Sequence, residues 1–239
     1  MMAAPTDGEV FSALDATWPA ARIIEQDGWL LRDGAGGGKR VSAASRTADD
    51  ADIGVAADAM RAMGQAPLFQ VRGDEAALDD RLASDGYRLV DPVWIYAASA
   101  ADLVDGLSEQ SRTYRGQFPV AAMQEIWTAG GIGPARLAVM DRAAAPKSWL
   151  MTRIDDRPAG VAFVSLAGGI AMVHAIEVAT RFRRRGAAKA LVSGAATFAA
   201  EKGAGVVALA VTKANVGANA LYQSLGMTQV AGYHYRVLD

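Results

Sequence analysis

The residues best suited to chemistry form a short basic loop in the last third of the sequence. Arginines occupy positions 183–185, and Gly186, Ala187 and Ala188 follow directly. A helix that starts on such small residues presents unpaired backbone N–H groups and the positive end of the helix dipole. An anion can approach that backbone closely, so the sequence predicts a pyrophosphate cradle to which the arginines add positive charge.

The elements around this loop follow from hydrophobic periodicity and turn residues. The pattern predicts a strand over 170–178 before the loop and a helix over 186–202 after it. A strand over 206–211, a helix over 214–225 and a strand over 228–237 complete the chain. Two further strands, 148–154 and 159–166, precede this region and are joined by a turn at 155–158. The loop is therefore expected at the end of a strand within an α/β fold.

Two motifs in this region resemble those of the Gcn5-related N-acetyltransferase (GNAT) superfamily. Arg183-x-x-Gly186-x-Ala188 matches the superfamily's Arg/Gln-x-x-Gly-x-Gly/Ala loop. The segment 215–227 is similar to its Asn-x-x-Ala-x-x-Leu-Tyr-x-x-Leu-Gly-Phe signature, with Met227 in place of the final Phe. The motifs occur in the expected order with a helix and a strand between them. The resemblance extends over residues 117–239, about half of the chain.

The resemblance implies an α/β GNAT fold, in which a mixed, mostly antiparallel sheet is flanked by helices, and acetyl-CoA as co-substrate. Main-chain groups of the strand would pair with the pantetheine arm, and the N–H of Val178 would polarise the thioester carbonyl. No metal is implied. The cofactor-binding residues implied by the match are Ile176, Val178, Arg183, Arg184, Arg185, Gly186, Ala187, Ala188, Asn215 and Ala218.

The same resemblance assigns an acid and a base. Tyr222 would protonate the departing CoA thiolate. Regular alternation along the strand places His174 on one face with Ile176 and Val178, and His174 is the only titratable group there, so it is the predicted base. Glu177 points to the other face of a regular strand, although a bulge could redirect it. Packing alone could also explain His174, and Asn215 could serve as a helix N-cap.

The N-terminal half lacks the loop motif. Its predicted hairpin pairs strands 28–32 and 39–44 across the glycine-rich segment 33–38. That segment is not a P-loop, because Asp33 and Arg40 occupy the positions where a P-loop needs Gly and Ser or Thr. The half ends in a strand, a helix and a strand, as the C-terminal half does. We interpret residues 1–105 as a smaller, degenerate GNAT-like domain and residues 106–239 as the catalytic domain.

Composition limits the other functions. The chain has 239 residues, a formal net charge of −2, no cysteine and two histidines, His174 and His234. Thiolate chemistry is excluded and a multi-histidine metal site is not expected. Neither nucleic-acid nor membrane binding is indicated, and the first 18 residues lack the pattern of a secretory signal. A cytoplasmic location is the expectation.

The resemblance to the GNAT superfamily implies direct transfer of acetyl from acetyl-CoA to a primary amine, carried by a small molecule or by a protein. Two alternatives stay open at this stage. One is a non-catalytic acyl-CoA-binding or sensing module on the same fold. The other is an adaptor whose N-terminal half binds a protein partner. Homodimer formation is also left open, and the sequence does not identify the acceptor.

Overall fold

A computed structural model describes residues 4–104 and 112–238. The predicted domain boundary between residues 105 and 106 lies outside the described residues. The elements before that gap are α1 (Asp7–Thr17), β1 (Arg22–Gln26), β2 (Trp29–Asp33), β3 (Ser45–Arg46), α2 (Ile53–Ala62), β4 (Leu68–Arg72), α3 (Ala76–Ser84), β5 (Arg88–Ser99) and α4 (Ala100–Val104).

The elements after the gap surround the predicted site. They are β6 (Arg112–Gly116), α5 (Ala121–Ala129), α6 (Pro134–Arg142), β7 (Lys147–Ile154), β8 (Arg157–Ala167), β9 (Ile170–Val178), α7 (Ala187–Glu201), β10 (Val206–Thr212), α8 (Val216–Ser224) and β11 (Thr228–Val237). Short 3-10 turns occur at Lys39–Val41 and Thr180–Phe182.

Eight strands form one sheet in the order β4-β11-β5-β10-β9-β8-β7-β6, and β1, β2 and β3 form a small second sheet. Strands β9 and β10 are parallel, and the other neighbours in the large sheet are antiparallel. The predicted α/β fold with a mixed, mostly antiparallel sheet flanked by helices is therefore confirmed.

The N-terminal and C-terminal parts exchange strands within this sheet. β5 lies between β10 and β11, and β11 in turn lies between β5 and β4. Helices α3 and α8 have the same length and occupy equivalent positions in two strand-helix-strand units, and a glycine with positive φ follows each one, Gly86 and Gly226. The two parts thus share one sheet. That the first part is a degenerate copy of the second stays a prediction.

The hairpin predicted in the N-terminal part is correct only in part. The first predicted strand is present as β2, which pairs antiparallel with β3 at 45–46 and not with 39–44. The tight hairpin joins β1 and β2 through Asp27-Gly28, with φ of 46° and 79°. Two consecutive residues with positive φ are what a tight two-residue hairpin turn requires. The segment after Gly38 forms a 3-10 turn instead of a long strand.

The sheet has a different layer of helices on each face. Ala162 of β8 packs in a cluster with residues of α7 and α8, whereas its neighbours Val161 and Phe163 pack with residues of α5 and α6. Helix α1 also contacts β8 and β9. We call the first side the α7 face and the second the α5 face. In the described ranges, no helix is long and apolar enough to cross a membrane.

Candidate functional site

A cavity of about 720 Å³ lies between the end of β9 and helices α7 and α8. The parallel ladder between β9 and β10 ends at Val173 and Leu209, although both strands continue beyond these residues. The strands part there, and in the part of the chain that the structure describes the end of β9 has no strand partner on that side. Most of the predicted site residues line the cavity, namely Ile176, Glu177, Val178, Arg183, Arg184, Gly186, Ala187, Ala188, Asn215, Ala218 and Tyr222.

The loop after β9 turns sharply into helix α7. Arg184 has φ of 62°, and Gly186, the N-cap residue, has φ of 85°. The first N–H groups of α7, as in any helix, have no acceptor within the helix, and no side chain among the described residues caps them. A Cβ at Gly186 would meet nothing within 4 Å, which shows that the space beside this backbone is open. The residues therefore fit a bound diphosphate group, and that they bind one stays a prediction.

The arginines of the loop do not share one role. Arg183 donates to Glu177 Oε1 at 3.4 Å and to the carbonyl oxygen of Val178 at 3.3 Å. Arg185 pairs with Asp155 at 2.9 Å and does not line the cavity. Arg184 does line it. The structure adds Lys189, an exposed cavity residue that the motif comparison missed. Its position one turn after the loop is the signal that could have identified it.

Helix α8 closes the other side of the cavity. Asn215 is its N-cap, since the side chain accepts a hydrogen bond from Ala218 N at 3.1 Å. The amide of Ala218 is thereby already engaged, so Ala218 contributes a small apolar surface instead of a free donor. Asn215 thus fixes the wall of the cavity through its capping oxygen.

Tyr222 lies on the same helix and is 5% exposed. Burial raises the pKa of its hydroxyl to about 12, so the group is protonated at neutral pH. Its ring packs beside Tyr96, with 5.8 Å between the ring centroids. A protonated phenol on the wall of this cavity can donate a proton to a leaving group.

A bulge in β9 changes which residues share a face. Glu177 pairs with Val161 and His174 pairs with Phe163, so Ala175 and Ile176 together face one residue of β8. Ala175 has φ of 51°, typical of such an irregularity. The prediction that His174 shares a face with Ile176 and Val178 is therefore wrong, because it assumed unbroken alternation.

After the bulge, His174 and Glu177 both belong to the α5 face. Ile176 packs on the α7 face, and Val178 packs with residues at the start of α7. The main chain at the end of β9 thus lies between the cavity on one side and the α5 face on the other. A ligand bound along α7 and a second ligand that approaches past Glu177 would therefore meet the end of β9 from opposite sides.

His174 is buried and does not line the cavity. Its Nε2 lies 2.9 Å from Thr17 Oγ1, and its Nδ1 lies 3.5 Å from an Arg40 nitrogen. Arginine can only donate, so Nδ1 accepts and Nε2 carries the proton. Burial, aided by the charge of Arg40, lowers the pKa of His174 well below its usual value. The imidazole is neutral and both of its nitrogens are engaged.

Glu177 is held between helix α5 and the loop. Its side chain is 20% exposed and pairs with Arg183. It also covers Gly130, where a Cβ would lie 2.6 Å from Oε2. The indole N–H of Trp127 donates to the carbonyl oxygen of Ala175 at 2.8 Å, which ties α5 to the bulge. Within the described ranges, no group of three or more His, Cys, Asp or Glu residues could hold a metal ion.

The sequence model of the Acetyltransferase (GNAT) family matches residues 107–227, half of the chain, so this protein belongs to that family. A curated relative, the uncharacterized N-acetyltransferase YobR of Bacillus subtilis (strain 168), is 25% identical over 233 residues, which covers 93% of this chain and 94% of YobR. The chain is an acyltransferase.

Solved structures show the same fold along nearly the whole chain. A GCN5-related N-acetyltransferase from Kribbella flavida is similar with a TM-score of 0.74 at 20% identity, covering 98% of this chain and 96% of that one. A tandem GNAT protein from the clavulanic acid biosynthesis pathway has a TM-score of 0.60 at 12% identity, covering 100% of this chain and 89% of its own. The likeness extends through the N-terminal part, which the sequence motifs did not cover.

Proposed function

We propose that the protein transfers acetyl from acetyl-CoA to a primary amine by direct attack. The observation that carries the proposal is a cavity that joins the start of α7, uncapped among the described residues, to the end of β9 beyond its ladder with β10. An anion and an extended acyl arm would find main-chain partners in that one space. Membership of the GNAT family and the name of YobR support an N-acetyltransfer reaction.

The donor would be held mainly by the backbone. The N–H groups between Arg184 and Ala188 would bind the diphosphate, with added charge from Arg184. The main chain of Ile176 and Val178 would pair with the pantetheine arm and stabilise charge on the carbonyl oxygen. When bound, the thioester supplies an activated acyl carbon.

Proton transfer would involve two residues on opposite sides of β9. Tyr222 would donate the proton that the sulfur needs as it leaves. The incoming amine must lose a proton, and Glu177 is our proposed acceptor for it, either directly or through water. Glu177 is preferred over the predicted base His174 because it lines the cavity, whereas both nitrogens of His174 are already engaged.

The first experiment measures binding of acetyl-CoA by calorimetry, followed by thiol release in the presence of amine acceptors. The panel should contain amino acids, polyamines, aminoglycosides and peptides with free N-termini or lysines. We expect binding, and turnover with at least one class of amine. Binding without turnover on any amine would support a sensing module, and absence of binding would reject the donor site and leave the adaptor.

A further inference from the structure

Arg40 is a partly buried cation on the α5 face, and no carboxylate among the described residues balances its charge. Its Nε donates to Tyr233 Oη at 3.2 Å, and a terminal nitrogen lies 3.5 Å from His174 Nδ1. Burial by itself would lower the pKa of Arg40, but the phenol groups of Tyr233 and Tyr235 raise it. Across the described ranges, Arg40 forms no ion pair. A partly buried guanidinium without a counter-charge has lost part of its hydration, and an anionic ligand would compensate for that loss.

The other cations of this region illustrate the contrast. Arg32, which is almost fully buried, pairs with Asp15 at 2.8 Å, and Lys39 pairs with Asp91 at 3.0 Å. Arg136 of α6 lies against the glycine-rich loop, where a Cβ at Gly38 would be 3.4 Å from its Nε. Arg136 is exposed and, like Arg40, forms no ion pair within the residues that the structure describes. Two unbalanced guanidinium groups therefore flank this loop.

Arg40 also lies at the point where β9 and β10 part. His174, its partner, comes directly after Val173, the last residue of β9 that pairs with β10. His174 and Glu177 share the α5 face, so Arg40 is on the same side of β9 as the proposed proton acceptor. Beyond the end of the ladder, the next residue of β10 on the same face as His174 is Ala210, whose side chain is small and only partly buried.

We infer that the acceptor is an amine that also carries a carboxylate, and that Arg40, with Arg136 at the loop, binds this carboxylate while the amine lies at Glu177. The inference rests on the proposed function and adds the class of acceptor. Arginine suits the role because its planar fork of donors matches a carboxylate. Because of the bulge, His174 and Glu177 lie opposite Phe163 and Val161 of β8, two positions of extended strand or roughly 7 Å apart, which favours acceptors whose amine and carboxylate are several carbons apart.

The test compares acceptors that differ only in the carboxylate. Each ω-amino acid from glycine to 6-aminohexanoate is paired with the n-alkylamine of equal carbon number, and kcat/KM is measured by thiol release. Binding of both members of each pair in the presence of CoA is measured by calorimetry. For the longer pairs, we expect the wild-type protein to favour the carboxylated member at least tenfold, in kcat/KM or in Kd.

The variants connect this preference to the arginines. Arg40→Gln should bring the ratio close to one, while Arg40→Lys should retain part of it. Arg136→Gln should lower the preference ratio several-fold. Because Arg136 is exposed, this variant provides the test if the Arg40 variants do not fold. Arg61→Gln is the matched control, because Arg61 is an exposed arginine of α2 paired with Asp58, and it should leave the ratio unchanged.

The outcomes separate the two proposals. Equal kcat/KM and equal Kd for both members of every pair would overturn the carboxylate inference, while turnover itself would still support acetyl transfer. A preference that survives in Arg40→Gln and Arg136→Gln would also overturn it. A larger preference for O-phosphoethanolamine over ethanolamine than for any carboxylated member would reassign the site to phosphate. Absence of acetyl-CoA binding would instead reject the proposed function.

Discussion

The carboxyl group of Glu177 lies directly over the Cα of Gly130, so closely that a Cβ there would be 2.5 Å from Glu177 Cδ. Gly130 has φ of −88°, which any residue can adopt. The glycine is therefore required for space and not for backbone conformation. Because Gly130 has no side chain, the carboxylate of Glu177, the proposed proton acceptor, can lie against the end of helix α5.

Replacement of Gly130 by alanine should move the carboxylate of Glu177. We expect Gly130→Ala to lower kcat by about 10- to 100-fold, as small misplacements of a catalytic group do, with a modest loss of stability. Gly133→Ala is the control, because a Cβ at Gly133 would meet nothing within 4 Å. Steady-state kinetics and thermal unfolding of both variants check this. An unchanged kcat in Gly130→Ala would remove Glu177 from the mechanism.

The backbone at Gly186 offers a second test. Gly186→Ala places a side chain at φ of 85°, which should cost about 1–2 kcal/mol of stability or shift the loop. Because the loop holds the proposed diphosphate site, we expect acetyl-CoA affinity to fall roughly tenfold, or about 1.4 kcal/mol. Gly203→Ala at the other end of α7 has φ of 77° and is equally open. It should show the same strain and bind acetyl-CoA normally. If calorimetry gave equal acetyl-CoA affinities for Gly186→Ala and Gly203→Ala, the assignment of the diphosphate site to this loop would be contradicted.

Tyr222→Phe removes the proposed proton donor and leaves the ring. With the pKa of the hydroxyl raised to about 12 by burial, the wild-type group is protonated across the neutral range. We expect kcat to fall by about 10²–10⁴-fold and the Kd for acetyl-CoA to stay within a few-fold. Tyr96→Phe is the control, because the Tyr96 hydroxyl already bonds to Asn219 and Gln229. This variant should affect stability instead of turnover. Full activity in Tyr222→Phe would exclude the assigned role.

Local patterns in the sequence predicted most of the residues that line the cavity. They did not predict the strand order, because that order depends on pairing between distant segments. Gly186 and the small residues after it indicate a helix start, and only a few neighbouring residues are needed to recognise it. Asn215 is the N-cap of α8, a position that asparagine favours. The position of β5 between β10 and β11 depends on pairing between residues far apart in sequence. No local pattern encodes such a pairing, so the predicted division into two domains did not reveal the shared sheet.

The sequence also did not predict which residues of β9 share a face, for a different reason. This strand is largely apolar on both faces, so its composition does not show where alternation is broken. The single extra residue at Ala175 moves Glu177 onto the α5 face and separates His174 from Ile176. A bulge of this kind is stabilised by tertiary contacts such as the Trp127 hydrogen bond. Lys189 was missed because the motif ends at Ala188.

The lowered pKa of His174 predicts how stability depends on pH. A histidine that stays neutral when folded binds fewer protons than the unfolded chain, in which its pKa is near 6.5. Stability is therefore fully present above pH 6.5 and is lost as pH falls towards the lower folded pKa, by about 1.4 kcal/mol per pH unit. Denaturant unfolding between pH 7.5 and 5 should show this slope. His174→Gln should reduce it, and an equal slope in that variant would contradict the assignment.

The two candidate bases can be separated by pairing His174→Gln with Glu177→Gln. Because His174 is neutral, buried and engaged at both nitrogens, its replacement should lower stability and leave kcat within a few-fold. Glu177→Gln keeps the size of the side chain but cannot take a proton, so kcat should fall by about 10²-fold or more with little change in acetyl-CoA affinity. If the effects were reversed, His174 would be the base despite its burial, and the side chain would have to leave Thr17 and Arg40 to reach the amine.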